Sequence, residues 1–289
     1  MSAVPFAAAA GGDARHHLLR SVVLELVPMS SLDGQLGFLP PASRVSVTCS
    51  PVKGIDATLE LAAALVDAGH HVVPHLAARM VLDRDHTARV ARWLRDHAVT
   101  DAFVIAGDAP SPHGPYDGAT AFLRDLLAAE PGLERVGVAA YPDGHVAIEA
   151  PVVHDALHAK QAVILEAGVA GYVATQMCFD AARIVEWLEA ERVAGFDLPV
   201  QLGVPGPVDR AKLLSMGARL GVGASLRYLR KNRSSLTRML SFSGYDPSDL
   251  IDPIAAHADR LGIVGLHVFT FNNLGDTVAW RARSLGQLG

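Results

Sequence analysis

The stretch "RVSVTCSPVKGIDATLELAAALVDAGHHVVPHL", residues 44–76, contains a complete strand–helix–strand unit. Its two ends, 44–49 and 70–76, are short β-branched and apolar runs of the kind that form buried strands. Between them, residues 56–69 carry Ala and Leu at helical spacing and end at Gly69, which is typical of a helix C-cap. This order predicts two parallel strands joined by a crossover helix.

The same alternation continues along the rest of the chain. Eight buried strands separated by helices predict a parallel sheet, and eight is also the number of strands that closes a (β/α)8 barrel. The predicted strands are 21–27, 44–49, 70–76, 101–107, 135–141, 171–177, 199–205 and 262–269. Helical periodicity is clearest in residues 56–69, 85–98, 118–130 and 180–195.

An open, doubly wound sheet is the alternative architecture. Such a sheet usually has a glycine-rich phosphate turn after an early strand. The segments after the first two predicted strands, "PMSSLDG" (28–34) and "SPVKGIDAT" (50–58), do not contain GxGxxG. The sequence therefore favours the (β/α)8 TIM barrel.

Two segments fall outside the regular alternation. Residues 1–20 are interpreted as a flexible N-terminal tail, and residues 21–289 as a single barrel domain. Residues 206–261 are too long for one crossover helix. They predict an extra helical segment before the last strand, with at least two helices and "RKNRSS" (230–235) between them.

Composition excludes several classes of partner. The net charge is −5, and the only local basic cluster is Arg227, Arg230, Lys231 and Arg233, so nucleic-acid binding has no electrostatic support. No apolar run approaches the about 18 residues of a membrane span. The two cysteines lie far apart, which argues against a disulfide framework and predicts a cytoplasmic protein. A small-molecule substrate is expected, and the oligomeric state stays open.

Polar residues at the carboxyl ends of the strands are the candidate site, because active sites of such barrels form there. Glu25 is the most informative, since a carboxylate in an apolar strand is costly to bury without a partner. A raised pKa would suit it to donate a proton. The alternative is that Glu25 pairs with Lys or Arg at the barrel bottom or faces outward. The candidates are Glu25, Thr48, Cys49, His75, Asp108, Tyr141, His145, Thr175, Gln176, His267, Thr270 and Asn272.

Other candidates also have structural alternatives. Asp108 lies in "GDAP", which is good turn chemistry, and it can also cap a helix. His75 can be a hydrogen-bonded core histidine, and Gln176 needs partners at a buried strand end whatever its role.

Paired histidines occur at 16–17 and 70–71. Neighbouring residues of a strand point to opposite faces, and no Cys or carboxylate surrounds these pairs at ligand spacing. We therefore predict no metal site.

Taken together, the strand-end motifs resemble those of the methylenetetrahydrofolate reductase family. "AYPDGH" followed by "TQMCFD" is the specific part of the resemblance. The resemblance implies a (β/α)8 barrel that reduces 5,10-methylenetetrahydrofolate to 5-methyltetrahydrofolate. The motifs are "VVLELVP" (22–28), "VTCSP" (47–51), "PHLAAR" (74–79), "VIAGD" (104–108), "AAYPDGH" (139–145), "ATQMCFD" (174–180) and "GLHVFTFN" (265–272).

The resemblance also implies a role for individual residues. Glu25 matches the family's general acid. The implied folate-binding residues are Asp108, Gln176 and Asn272, and the implied cofactor-pocket residues are Thr48, His75, Tyr141 and His145.

Departures from the family pattern concern the flavin. Ala106 stands where members that hold FAD have arginine, and Ile164 stands where they have lysine; the nearest lysine is Lys160. Losing two positive groups removes contacts to a pyrophosphate, so the chain resembles the flavin-independent branch, in which NADH or NADPH passes hydride directly to the folate. A conventional FAD-dependent reductase and a non-catalytic folate- or pterin-binding barrel stay open as alternatives.

Overall fold

Eight parallel strands pair in chain order and close on themselves, with β8 beside β1. The computed structural model describes residues 11–209, 213 and 245–287. The strands are β1 (Val22–Leu26), β2 (Arg44–Val47), β3 (His71–Ala77), β4 (Asp101–Ile105), β5 (Arg135–Ala140), β6 (Ala170–Thr175), β7 (Val200–Pro205) and β8 (Ile263–Phe269). The described helices are α1 (Gly11–Arg20), α2 (Gly54–Asp67), α3 (Arg84–Asp96), α4 (Ala119–Ala128), α5 (Ala150–Glu166), α6 (Ala181–Val193), α7 (Ser248–Ala255), α8 (Ala258–Leu261) and α9 (Leu274–Ser284).

The predicted TIM barrel is confirmed, and the open sheet is excluded. The pairing that decides between them is the last one, in which Val22 of β1 lies opposite Leu266 of β8 and Leu24 opposite Val268. An open sheet would leave both of these strands as edges. All eight predicted strands are present, and their ends agree with the prediction to within two residues.

The predicted flexible tail is partly wrong. Residues Gly11–Arg20 form α1, and its Leu18 and Leu19 are fully buried. The main chain at Leu19 also accepts a hydrogen bond from Arg281 Nε of α9 at 2.8 Å. An apolar pair at the end of this helix therefore holds it against the barrel, while residues 1–10 lie outside the described part.

The extra segment before the last strand is present where the structure describes it. Helices α7 and α8 both precede β8 within residues 206–261. The "RKNRSS" stretch predicted to separate helices lies outside the described residues. Among the residues that are described, no helix is both long enough and apolar enough to cross a membrane.

Local signals set the ends of the regular helices. Gly69 and Gly195 follow α2 and α6 with φ of +84° and +91°, so the predicted glycine C-caps are confirmed. Asp83 caps the start of α3 by accepting the His86 backbone N–H at 2.6 Å. Asp180 does the same for α6 through the Ala182 and Arg183 N–H groups. These caps satisfy backbone groups that a helix end leaves without partners.

Alternate residues of each strand face two different layers. One set, which includes Leu24, Val45 and Val104, packs with the surrounding helices in the main core. The other set faces the barrel interior, where a small cluster contains Val73, Phe103 and Tyr172. This two-residue period is the geometry of a β-strand. It places polar side chains inside the barrel; they include Glu25, Ser46, His75, Gln201 and His267.

Below the mouth, the interior is filled by side chains. A Cβ on Gly137 would lie 2.3 Å from Cζ of the Tyr172 ring, so only glycine fits there. Lower still, Asp101 accepts hydrogen bonds from Arg135 Nε at 3.0 Å and from the Tyr172 hydroxyl at 3.2 Å. Arg44 Nη2 lies 3.2 Å from the same carboxylate. These contacts join four strands and close the bottom of the barrel.

Candidate functional site

A cavity of about 330 Å³ opens at the mouth of the barrel, at the carboxyl ends of the strands. Six of the eight residues predicted for the site line it. They are Glu25, Thr48, His75, Asp108, Tyr141 and Gln176. The rest of the lining is Val27, Cys49, Ser50, Pro51, Phe103, Ile105, Gly107, Ala139, Ala174, Thr175, His267, Phe269 and Phe271.

Glu25 lies between two histidines from other strands. His267 Nε2 is 2.9 Å from Glu25 Oε2, which is a hydrogen bond, and His75 Nε2 is 4.0 Å from the same oxygen. Glu25 is therefore inside the barrel, and its close ionic partners are imidazoles. The alternative of a Lys or Arg partner at the barrel bottom is wrong.

Barrel closure puts His267 beside Glu25. In the β1–β8 pairing, Val23 lies opposite His267 and Glu25 lies opposite Phe269. Glu25 and His267 both face inward, so they are diagonal neighbours on adjacent strands. The Thr270 hydroxyl donates to the Glu25 carbonyl oxygen at 2.5 Å and fixes the end of β1 to the end of β8. His267 is one of the strand-end candidates, but its sequence context offered no reason to assign it a catalytic or binding role.

His75 is the most unusual of the three side chains. It is 5% exposed, and burial lowers its pKa to about 4, although the nearby Glu25 charge opposes that shift. The ring is therefore neutral near pH 7. It packs against Phe103 with centroids 4.8 Å apart, and its Nε2 is buried without a hydrogen-bond partner among the described residues. A buried nitrogen in this condition needs a partner from a ligand, an ion or water.

The same three side chains can hold a metal ion. The donor atoms of Glu25, His75 and His267 all lie within 4.8 Å of one another. Two neutral imidazoles and a carboxylate form a ligand set that divalent metals accept. The prediction of no metal site considered only histidines adjacent in the sequence, whereas these ligands come from three separate strands.

A polar rim surrounds this centre. Burial and the neighbouring Asp108 carboxylate both raise the pKa of Tyr141, so its hydroxyl stays protonated and can donate. Gln176 Oε1 accepts the Met177 N–H at 2.8 Å. Its side-chain NH2 group makes no hydrogen bond to the described residues and can donate to a bound molecule. Lys160 lies behind the rim, where its amine donates to the Ala139 carbonyl at 2.9 Å and burial lowers its pKa to about 8.

Two predicted site residues do not line the cavity. The Asn272 side chain accepts the Val27 N–H and donates to the Val27 carbonyl, both at 2.9 Å, so it ties the loop after β8 to the end of β1. The structure thus gives Asn272 a structural role in place of the expected substrate contact. His145 packs its ring edge against Tyr141, with centroids 5.1 Å apart, and supports the rim from outside.

Solved structures of other barrels resemble this one in fold. The enzyme 2,3-dimethylmalate lyase, a member of the PEP mutase/isocitrate lyase superfamily, matches with a TM-score of 0.51 and 11% identity, covering 97% of this chain and 88% of its own. Oxaloacetate acetylhydrolase matches with a TM-score of 0.47 and 13% identity, covering 97% and 89%. The carboxyl transferase domain of Rhizobium etli pyruvate carboxylase matches with a TM-score of 0.45 and 11% identity, covering 96% of this chain and 48% of its own. No family model matches the sequence.

The resemblance to methylenetetrahydrofolate reductase is wrong by this comparison. Of these three structures, the one with a TM-score above 0.5 is named as a lyase of the PEP mutase/isocitrate lyase superfamily. The predicted folate reduction, the oxidoreductase class and the folate substrate are corrected with it. The motifs behind the resemblance are apolar strands with polar residues within them or just after them, and barrels of many activities share that pattern. At these identities the likeness shows the fold alone.

Proposed function

We propose that the barrel mouth is an active site in which Glu25 transfers a proton to or from a small substrate, in a reaction of the lyase or isomerase type. One observation carries this proposal. The Glu25 carboxylate faces the mouth cavity, with the His267 imidazole hydrogen-bonded to it at 2.9 Å. The buried His75 Nε2 lies 4.0 Å away and has no hydrogen-bond partner among the described residues. A positioned acid or base of this kind contributes about 10²–10⁴-fold to a proton-transfer rate.

The three side chains have different tasks in this proposal. The hydrogen bond from His267 orients Glu25, whose carboxylate form can accept a proton from the substrate and whose carboxylic acid form can donate one. His75 is neutral near pH 7, and its Nε2, which no described residue hydrogen-bonds, can bond to an oxygen or nitrogen of the substrate. The apolar wall, which includes Phe103 and Phe269, keeps water away from the exchange.

The charges of the cavity favour an uncharged or positively charged substrate. Glu25 and Asp108 are the ionisable acids of the lining, and the described lining contains no lysine or arginine. Among the described lining residues, a carboxylate or phosphate group would therefore meet negative charge without a lysine or arginine to bind it. Phe103, Tyr141 and Phe271 offer aromatic surface, which suits a planar molecule.

Deuterium exchange tests the proposal directly. The protein would be incubated in D2O with a panel of uncharged and cationic compounds that have an acidic C–H bond, such as cyclic ketones, β-keto amides and iminium salts. Loss of the C–H signal would be followed by NMR. We expect exchange with members of this panel, and a rate at least about 10²-fold lower for Glu25→Gln.

Two comparisons make the test specific. Glu60→Gln, an exposed substitution on α2, should exchange at the wild-type rate. A matched panel of 2-oxo acids should exchange poorly because of the acidic lining. Equal rates for wild type and Glu25→Gln, or no exchange with any compound, would contradict the proposal. Exchange confined to the 2-oxo acids would contradict the substrate class.

A second candidate function is metal-assisted chemistry at the same three side chains. The buried Nε2 of His75 favours it, because an ion between Glu25, His75 and His267 would give that nitrogen a partner. Such an ion would polarise a substrate oxygen. The metal content of wild type and of His75→Gln, measured after extensive dialysis, separates the two candidates. A metal site at the barrel mouth should lose its ion in the variant. A proton-transfer site needs no ion, so the metal content of the two proteins should be equal.

Two earlier expectations are untested. NADH or NADPH as hydride donor, with FAD doubtful, came with the resemblance to the reductases and stays a prediction. The cytoplasmic location stays a prediction as well.

A further inference from the structure

A second group of histidines and a carboxylate lies outside the barrel mouth, where α5 and α6 are neighbours. His154 and His158 are four residues apart on α5, and Glu191 lies near the end of α6. His154 Nδ1 and His158 Nε2 are each 3.0 Å from the same oxygen, Glu191 Oε2. We propose that these three side chains form a binding site for a divalent transition metal ion of the zinc class.

The geometry fits such an ion. Residues four apart on a helix face the same side, so both imidazoles reach one point. Zinc binds nitrogen at about 2.0–2.1 Å and carboxylate oxygen at about 2.0–2.2 Å, which places the ligand atoms of a tetrahedral ion about 3.4 Å apart. The three donor atoms here lie within 4.8 Å of one another, with two of the separations at 3.0 Å. Small side-chain rotations admit the ion.

The donor atoms select the class of metal. Two imidazole nitrogens and one carboxylate oxygen suit Zn²⁺, Ni²⁺ or Cu²⁺. Mg²⁺ and Ca²⁺ prefer sets made of oxygen ligands alone. The site should therefore take Zn²⁺ and its chemical neighbours and reject Mg²⁺.

The environment of Glu191 gives an independent reason for a cation. Its side chain is 8% exposed, and its partners among the described residues are the two histidines and the Trp187 indole N–H, which donates to Oε1 at 3.1 Å. None of these groups carries a permanent positive charge, although a buried carboxylate is stabilised by one. A divalent ion supplies that charge. Trp187 then holds the second carboxylate oxygen and orients the ligand.

The two helices hold the ligands in place before any ion binds. Gln161, on the turn of α5 after His158, donates to the Gly195 carbonyl at 2.9 Å and accepts the Asp197 N–H at 2.8 Å. These bonds attach α5 to the chain just beyond α6. The His154 side chain is 44% exposed, so the ion has a route from solvent and an outward position for a water molecule. The site would thus fasten α5 to α6.

The test uses untagged, chelator-treated protein and Zn²⁺ alone as the probe. Calorimetry should show one equivalent bound at this site, and Co²⁺ should give the visible absorption of a tetrahedral complex. His154→Ala, His158→Gln and Glu191→Gln should each weaken Zn²⁺ binding at least about tenfold, since loss of even a residue that supports a ligand costs about 10–100-fold. Saturating Zn²⁺ should raise the Tm of wild type and not of the variants.

Controls distinguish this site from the barrel mouth. His113→Gln, which replaces an exposed histidine outside both clusters, should leave Zn²⁺ binding unchanged. Glu25→Gln should also leave this equivalent in place, because Glu25 belongs to the other cluster. Wild-type affinity in His154→Ala, whose exposed side chain can be removed without unfolding the helix pair, would overturn the proposal. Binding of Mg²⁺ with equal affinity would overturn the metal class.

Discussion

At the scale of the residue, His75 combines burial with a ring nitrogen, Nε2, that makes no hydrogen bond to the part of the chain that the structure describes. A histidine in water is half protonated near pH 6.5, whereas burial lowers the pKa of His75 to about 4 in the folded barrel. Between about pH 4 and pH 6.5, His75 is protonated in the unfolded chain and neutral in the folded chain. Protonation therefore favours unfolding as the pH falls, and the stability contributed by neutral His75 is complete only above about pH 6.5.

Replacing His75 should change how stability depends on pH. Between pH 7 and about pH 4.5, we expect the free energy of unfolding of His75→Gln to fall by about 2–3 kcal/mol less than that of wild type. Urea denaturation at a series of pH values measures this difference. The exposed His113→Gln should follow the wild-type curve. Parallel curves for wild type and His75→Gln would show that the His75 pKa is close to that of a free histidine.

At the scale of the element, α3 shows how a short sequence signal starts a helix. Asp83 accepts the His86 N–H at 2.6 Å, and His86 Nδ1 in turn accepts the Leu82 N–H at 3.2 Å. The pair satisfies donors at the helix start from both directions, in the manner of a capping box. Val90 and Leu94, on the buried face of α3, then pack in the main core.

Removing this cap should destabilise the protein by a predictable amount. Asp83→Ala should lower the free energy of unfolding by about 1 kcal/mol, since it leaves the His86 N–H without its acceptor. Asp83→Asn should lose much less, because asparagine caps comparably well. Asp85→Ala, which removes an exposed charge from the same first turn without a cap bond, should cost only about 0.3–0.5 kcal/mol. Equal losses for Asp83→Ala and Asp85→Ala would assign the effect to helix charge alone.

At the scale of the whole molecule, the two ends of the barrel have different tasks. The mouth holds a cavity with Glu25, His75 and His267, while the bottom is closed by the Asp101 contacts with Arg44 and Arg135. Ligand-binding residues in such barrels gather at the carboxyl ends of the strands, and contacts at the other end mainly stabilise the fold.

Loss of Asp101 should weaken the whole barrel. Asp101→Ala leaves Arg44, Arg135 and the Tyr172 hydroxyl without their shared acceptor. Both arginine side chains are partly exposed and stay hydrated, so we expect the free energy of unfolding to fall by about 1–3 kcal/mol, mainly because the buried Tyr172 hydroxyl loses its partner. Fluorescence and circular dichroism should report one common, lowered urea midpoint. Asp96→Ala, an exposed substitution at the end of α3, should stay within about 0.5 kcal/mol of wild type. A loss that small for Asp101→Ala would mean that the bottom contacts do not stabilise the barrel.

The sequence by itself determined the architecture and much of the mouth. Eight apolar runs and the helical stretches between them predicted the barrel, because the spacing of hydrophobic residues and the local composition can be read from the sequence without the tertiary structure. Strand-end position then selected Glu25, His75, Asp108, Tyr141 and Gln176, all of which line the cavity. The function inferred from the same strand ends was wrong, since polar strand ends follow from the fold and are shared by barrels of different activity.

Only the tertiary structure decided which side chains meet. His267 lies beside Glu25 because β8 closes onto β1, and the pairing register brings together residues far apart in the chain. His154 and His158 show a four-residue spacing in the sequence, but their common partner Glu191 comes from the next helix. A charged group acquires its role from its neighbours, and packing, which depends on the entire chain, sets those neighbours and the pKa of buried groups such as His75.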